Sequence, residues 1–200
     1  MPQTRIEFWF EFASTYSYLS VLRLPTLAAK AGVKIIWRPF LLGPIFAAQG
    51  WDTSPFNIYA AKGDYMWRDM QRRCEALNVA FQKPNPFPQN SLLAARVAQC
   101  ALDTPHGIEF CQNVYRMQFA EGKDISEPRV IAFCLQAASL PVKMIDAAQD
   151  KSNKLALRNA TADAMQRGIF GAPSLTVGPE LFWGDDQLEA AIAWCKAHTA

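Results

Sequence analysis

Ser14-Thr15-Tyr16-Ser17 sets two hydroxyls three positions apart, just after the apolar run Ile6-Glu7-Phe8-Trp9-Phe10-Glu11-Phe12 and at the start of a helix-like segment. A strand-to-helix turn of this kind exposes the first side chain beside backbone N–H groups that lack intrahelical partners, in the field of the helix dipole. Thiolates are favoured there, as the depressed pKa of helix-start cysteines shows. Two serines cannot form a disulfide, so the turn has no redox chemistry of its own. A hydroxyl at this place can instead donate to a thiolate carried by another molecule. Moving a thiol from pKa ~8.5 to ~6.5 takes roughly 2.7 kcal/mol. One charge-assisted hydrogen bond plus a helix terminus is of that order. Ser14 or Ser17 also reads as a plain helix cap, a role in which serine is among the commonest residues.

Two later segments carry comparable signals. Gly171-Ala172-Pro173-Ser174 puts a proline at the entry to a strand, where its missing N–H costs no ladder bond. Trp183-Gly184-Asp185-Asp186-Gln187 puts two carboxylates at the start of a helix-like segment. They complement the helix dipole, can cap it, or can pair with an ammonium.

The elements that position these residues follow from periodicity. Residues 5–12 alternate as a strand, 17–31 read as a helix stopped by Gly32 and kinked at Pro25, and 33–40 form a second strand ended by Pro39. Such a βαβ crossover makes the two strands parallel. The Gly/Pro/Asn-punctuated stretch 43–63 reads as loop with short helical turns. Helix-like segments follow at 64–77, 91–103, 107–121, 127–138, 141–149 and 153–167, with Asn90 and Ser126 as natural caps and Pro128 in a first turn. Residues 174–177 and 180–183 form a hairpin through Gly178-Pro179, and a last helix starts at Asp185 or Asp186. Strands at both ends and helices between them point to one α/β domain over 1–200: a four-stranded mixed sheet with a helical insertion of about 55–165.

Composition narrows the class of activity. The 200 residues are 50% hydrophobic and 19% charged, with a net charge of +2, so nothing suggests a nucleic-acid or membrane-surface field. No run approaches the ~18 apolar residues of a membrane span. The first residues run into a strand holding Arg5 and Glu7, unlike a signal peptide. Five single cysteines without metal spacing fit small buried hydrophobes, reduced in a cytosol, and predict no metal site. His106 and His198 fall near a turn and in the tail, as surface imidazoles.

Taken in order, the three motifs resemble the 2-hydroxychromene-2-carboxylate isomerase and kappa-class glutathione transferase family, on the DsbA-like branch of the thioredoxin fold. The opening Phe12-Ala13-Ser14-Thr15-Tyr16-Ser17-Tyr18-Leu19 and the ending Gly168-Ile169-Phe170-Gly171-Ala172-Pro173, then Trp183-Gly184-Asp185-Asp186-Gln187-Leu188, carry the resemblance over nearly the whole chain. It implies a thioredoxin-like sheet with a cis bond before Pro173 and the use of glutathione as cofactor. Ser14 stands in the place of the glutathione-contacting catalytic serine, with Thr15 and Tyr16 completing its turn. Ala172 precedes the cis-proline, whose neighbouring backbone groups pair with the tripeptide, and Asp185 and Asp186 match the γ-glutamyl-binding pair. Asn57 and Asn90 match asparagines near the isomerase's substrate, although they also read as a turn residue and a cap. Lys62 lies close by and could meet a carboxylate. Thr15 replaces the family's proline, Gln187 an arginine, and Phe46 a substrate-binding lysine. Phe40, Phe46, Trp51, Phe56, Tyr59 and Trp67 read as an aromatic pocket wall or as core.

The resemblance implies a cytoplasmic, glutathione-dependent isomerase of small aromatic 2-hydroxychromene-2-carboxylate-type acids, working by reversible thiolate conjugate addition. A homodimer is compatible with it, and neither nucleic acid nor membrane is an expected partner. Two other readings stay open: a kappa-type glutathione transferase or peroxidase, and a non-catalytic thioredoxin-like binding module.

Overall fold

The computed structural model describes residues 5–198. Its strands are β1 (Arg5–Phe10), β2 (Lys34–Pro39), β3 (Ser174–Val177) and β4 (Glu180–Trp183). They form one mixed sheet in the order β2-β1-β3-β4, the thioredoxin-like arrangement expected. β1 runs parallel to β2, with Phe8 opposite Trp37, and antiparallel to β3, with Phe8 opposite Leu175. β1 is thus a central strand, and whatever follows its C-terminal end sits at the middle of the molecule.

The alternation of β1 sorts its side chains onto two faces. Ile6, Phe8 and Phe10 are fully buried in the main core with Leu19, Val21 and Leu24 of α1 (Thr15–Ala31). Trp9 points the other way, into a smaller cluster with Phe40, Ile45, Ala164 and Ile169. α1 ends where Gly32 takes φ 68°, with its N–H on the carbonyls of Ala28 and Ala29. Pro25 does not end this helix. The carbonyl of Val21, which a proline four residues on cannot serve, accepts instead from Gln112 Nε2 at 3.2 Å.

The helical block between β2 and β3 comprises α2 (Leu42–Ala48), α3 (Pro55–Ile58), α4 (Ala60–Ala76), α5 (Leu92–Ala101), α6 (Gly107–Phe119), α7 (Pro128–Ala137), α8 (Met144–Ala147) and α9 (Lys151–Gln166). It therefore begins nearer residue 42 than 55. α4 also starts earlier than the expected residue 64, because Gly63 is a helix residue rather than loop punctuation. A Cβ there would lie 2.3 Å from the carbonyl oxygen of Phe56, so only glycine lets α3 pack this closely on α4. The caps differ too. Ser91 occupies the cap position of α5, with Asn90 one residue before it accepting from the N–H of Leu92, and Glu127 rather than Ser126 occupies that of α7.

The chain ends in α10 (Leu188–His198). Asp185–Gln187 is a single 3-10 turn instead of the first turn of that helix, set off by Gly184 at φ 115°. Cys74, Cys111, Cys134 and Cys195 are buried as small hydrophobes, and Cys100 is partly so. Among the described residues no helix is long and apolar enough to cross a membrane.

Candidate active site

Ser14 is the N-cap of α1. Its backbone is extended (φ −81°, ψ 120°), its N–H donates to the carbonyl of Glu11 at 3.0 Å, and its Oγ accepts the N–H of Ser17 at 3.3 Å. The first turn carries no acidic residue, so the N–H groups of Thr15 and Tyr16 face an uncompensated positive helix end. The Ser14 hydroxyl itself donates to the carbonyl of Ala172 at 2.8 Å. That bond spans 158 residues and joins two of the three sequence motifs.

The Ala172–Pro173 bond is cis, as expected for the strand entry. The N–H of Gly184 donates to the carbonyl of Pro173 at 3.0 Å, which brings in the third motif. Gly171 packs under the indole of Trp183, where a Cβ would come within 2.5 Å of Nε1. Trp183 is half exposed and packs on Phe170, also half exposed, with ring centroids 4.9 Å apart. An exposed aromatic pair thus flanks the Ser14–Ala172 contact, at positions outside the aromatic set expected from sequence.

The two aspartates of that motif have separate fates. Asp185 is buried; its carboxylate accepts from Ser20 Oγ (2.9 Å) and Arg23 Nη1 (2.8 Å), with Arg73 Nη1 at 3.7 Å. Burial pushes its carboxyl up, and Arg23, Ser20 and Arg73 pull it back. With its carboxylate locked against α1, Asp185 has only main-chain groups to offer a ligand. Asp186 is exposed, with Gln187 Nε2 at 3.2 Å, and is the carboxylate left free to meet an ammonium.

A second ionic group closes over the first turn of α1. Asp69, nearly buried on α4, accepts from the Tyr16 hydroxyl (3.1 Å), Arg72 (3.1 Å) and Arg73 (2.7 Å). Burial opposes its charge, but Arg73, Tyr16 and Arg72 hold its carboxyl below the ordinary range. The guanidinium of Arg73 also lies over the Tyr16 ring at 5.6 Å. Burial and Asp69 together keep the Tyr16 phenol neutral well above its usual pKa. The Asp69-x-x-Arg72-Arg73 spacing is a helical ion-pair pattern legible in the sequence, but its partner on α1 is not.

The expected substrate asparagines sit on the neighbouring wall. Asn57 Nδ2 bridges Thr53 Oγ1 (3.1 Å) and the carbonyl of Phe87 (3.2 Å), so it ties α3 to the loop that carries Asn90. The next residue, Ser91, bonds the Glu11 carboxyl, which fixes this loop beside the Ser14 turn. Lys62 is exposed, with its ammonium 5.6 Å over the Phe56 ring. The aromatic set divides: Phe40 is fully buried against Trp9, Phe46 packs on Trp51 at 5.9 Å, Trp67 packs on Phe87 at 4.6 Å, and Tyr59 is open to solvent.

Glu11 is the residue that sequence reasoning passed over. It is buried, its Oε2 accepts the N–H of Ala13 at 2.8 Å, and its carbonyl accepts the Tyr115 hydroxyl at 2.7 Å. Burial raises its carboxyl to about 7, with Ser91 and Ala13 opposing the shift. A lone carboxylate inside Phe8-Trp9-Phe10-Glu11-Phe12 was the available signal.

The family model described as the DSBA-like thioredoxin domain matches residues 5–192. A protein named 2-hydroxychromene-2-carboxylate isomerase, from Sphingobium xenophagum, is 27% identical over 186 residues, covering 92% of this chain and 94% of that protein. A solved structure of 2-hydroxychromene-2-carboxylate isomerase superposes with a TM-score of 0.85 at 22% identity, covering 96% of this chain and 95% of that one. The cytosolic disulfide reductase DsbM of Pseudomonas aeruginosa, solved with GSH, superposes with a TM-score of 0.62 at 12% identity, covering 96% of each chain.

Proposed function

This chain belongs to the DsbA-like thioredoxin domain family, and from its site we propose that it is a glutathione-dependent isomerase acting on 2-hydroxychromene-2-carboxylate-type aromatic acids. The observation that carries this reading is the Ser14 hydroxyl, held at the N-terminus of α1 and 2.8 Å from the carbonyl of Ala172. Relatives named as isomerases cover nearly the whole chain, and a protein of the same fold has been solved with GSH.

The residues present fit the tripeptide. The carbonyl of Ala172 is satisfied by a hydroxyl that can turn away, so it can accept a peptide N–H instead. Ser14 is then released to donate toward a sulfur lying over the helix terminus. Asp186 supplies an exposed carboxylate for the γ-glutamyl ammonium, and the first-turn N–H groups favour an anion. Bound glutathione would supply a thiolate that adds reversibly to the unsaturated acid, freeing the former double bond to rotate before elimination restores it. Ser14 holds negative charge at the sulfur. Asn57, whose amide N–H groups are spent on Thr53 and Phe87, holds the Asn90 loop in place; Asn90 offers its amide to the oxygens of the acid, and Phe170 and Trp183 offer an apolar face to its ring. Because Ser14 and Ser17 cannot form a disulfide, dithiol exchange at this turn is ruled out.

Titrating thiolate absorbance in glutathione complexes of the wild type and Ser14→Ala tests this. The bound thiol should ionise well below its free pKa in the first and higher in the second; equal values remove Ser14 from the role. One observation favours a transferase of kappa type: Phe46, at the position of the family's lysine, packs on Trp51 and supplies no cation for a carboxylate. Turnover of 2-hydroxychromene-2-carboxylate with trace glutathione supports isomerisation. An inert chromene, with glutathione consumed one-for-one by chlorodinitrobenzene, supports transfer.

A further inference from the structure

We propose that Glu11 is a charge-setting residue for the Ser14 turn: neutral, it permits a thiolate beside Ser14 Oγ, and ionised, it opposes one. The proposal rests on the glutathione reading and deepens it. Glu11 is bound to the turn by both its ends. Its carbonyl accepts the N–H of Ser14 at 3.0 Å, and its Oε2 accepts the N–H of Ala13 at 2.8 Å. Its Oε1 meets the Ser91 hydroxyl. This last contact works in both protonation states. A hydroxyl can donate to a carboxylate or accept from a carboxylic acid, while Oε2 remains an acceptor toward Ala13 throughout. The pocket is therefore built to hold the group in either form without moving the turn.

The groups that face Glu11 leave it as the one that changes charge near neutrality. From α6 this is Tyr115, whose hydroxyl lies on the Glu11 carbonyl and which burial keeps neutral, as it does Cys111 one turn earlier on the same helix. From the cap of α5 it is Ser91, which does not titrate. Burial is the largest influence on Glu11 and places its ionisation at about 7. Three residues of chain separate it from Ser14, at most roughly 10 Å between Cα atoms. Two like charges about 10 Å apart in a partly buried site shift one another by about one pKa unit.

The experiment follows the thiolate absorbance of bound glutathione from pH 5 to 9 in the wild type, Glu11→Gln and Ser91→Ala. Gln keeps the shape of the neutral acid, with an NH₂ toward Ser91 and an oxygen toward Ala13. The wild-type thiol is expected to ionise in two steps. In Glu11→Gln the upper step is lost, leaving one about a pH unit below it, or a roughly tenfold higher thiolate-to-thiol ratio in that interval. In Ser91→Ala the carboxylate loses a donor, so the upper step moves to higher pH; this variant serves if Glu11→Gln does not fold. Glutathione that binds with its thiol lowered, yet with the same profile in all three proteins, overturns the role of Glu11 and leaves the glutathione reading standing. No glutathione binding by the wild type overturns both.

Discussion

Replacing Glu11 by glutamine should change the pH dependence of folding stability even in the ligand-free protein. The carboxyl ionises at about 7 in the folded chain against an ordinary value of 4.5, with burial as the main cause. Between those values the folded state binds more protons than the unfolded state, so stability falls as pH rises through that window. The full difference of 2.5 units, 7 minus 4.5, corresponds to about 3 kcal/mol, absent below pH 4.5 and complete above pH 7. Glutamine cannot ionise and fits the same partners, Ala13 and Ser91. The wild type and Glu11→Gln should therefore differ little near pH 4.5, and by pH 8 the variant should have gained about 3 kcal/mol relative to the wild type. Urea unfolding of both proteins at half-unit steps measures this directly, because every other titrating group cancels in the difference. A constant offset across the range would refute the reasoning, since it would mean that Glu11 is already charged at pH 5 and that its burial is relieved in solution.

Arg23→Met should destabilise by about 2–4 kcal/mol at pH 8, because the buried carboxylate of Asp185 keeps only Ser20 and the more distant Arg73; the loss should shrink on acidification, as denaturation at falling pH would show. Asp186→Asn should weaken glutathione binding by roughly 5- to 150-fold, about 1–3 kcal/mol by calorimetry, and unchanged affinity would make Asp186 a plain surface charge. Gly63→Ala should lower stability by about 1–3 kcal/mol in urea, since its methyl would meet the carbonyl of Phe56; a gain of about 1 kcal/mol would mean that helix propensity prevails.

Features written in short-range pattern are legible from the order of residues alone. The two-residue period of Ile6–Phe10 fixed a buried strand. The Ser14 turn fixed a helix start, and Gly178-Pro179 fixed a hairpin. These depend on backbone conformations that particular residues favour locally, so neighbouring residues suffice to read them. Resemblance of the three motifs supplied their order and the cis bond at Pro173. What each polar side chain faces emerges only in the folded molecule. Asp185 and Asp186 are adjacent and identical in chemistry, yet one is buried against Arg23 and the other lies open to solvent. Gly63 reads as a loop residue until Phe56 is seen against it. Glu11 reads as one more strand residue until Ser91, 80 positions away, closes over its carboxyl. Desolvation and charge pairing depend on the whole packed surroundings of a group, and those are assembled from segments that no local window contains.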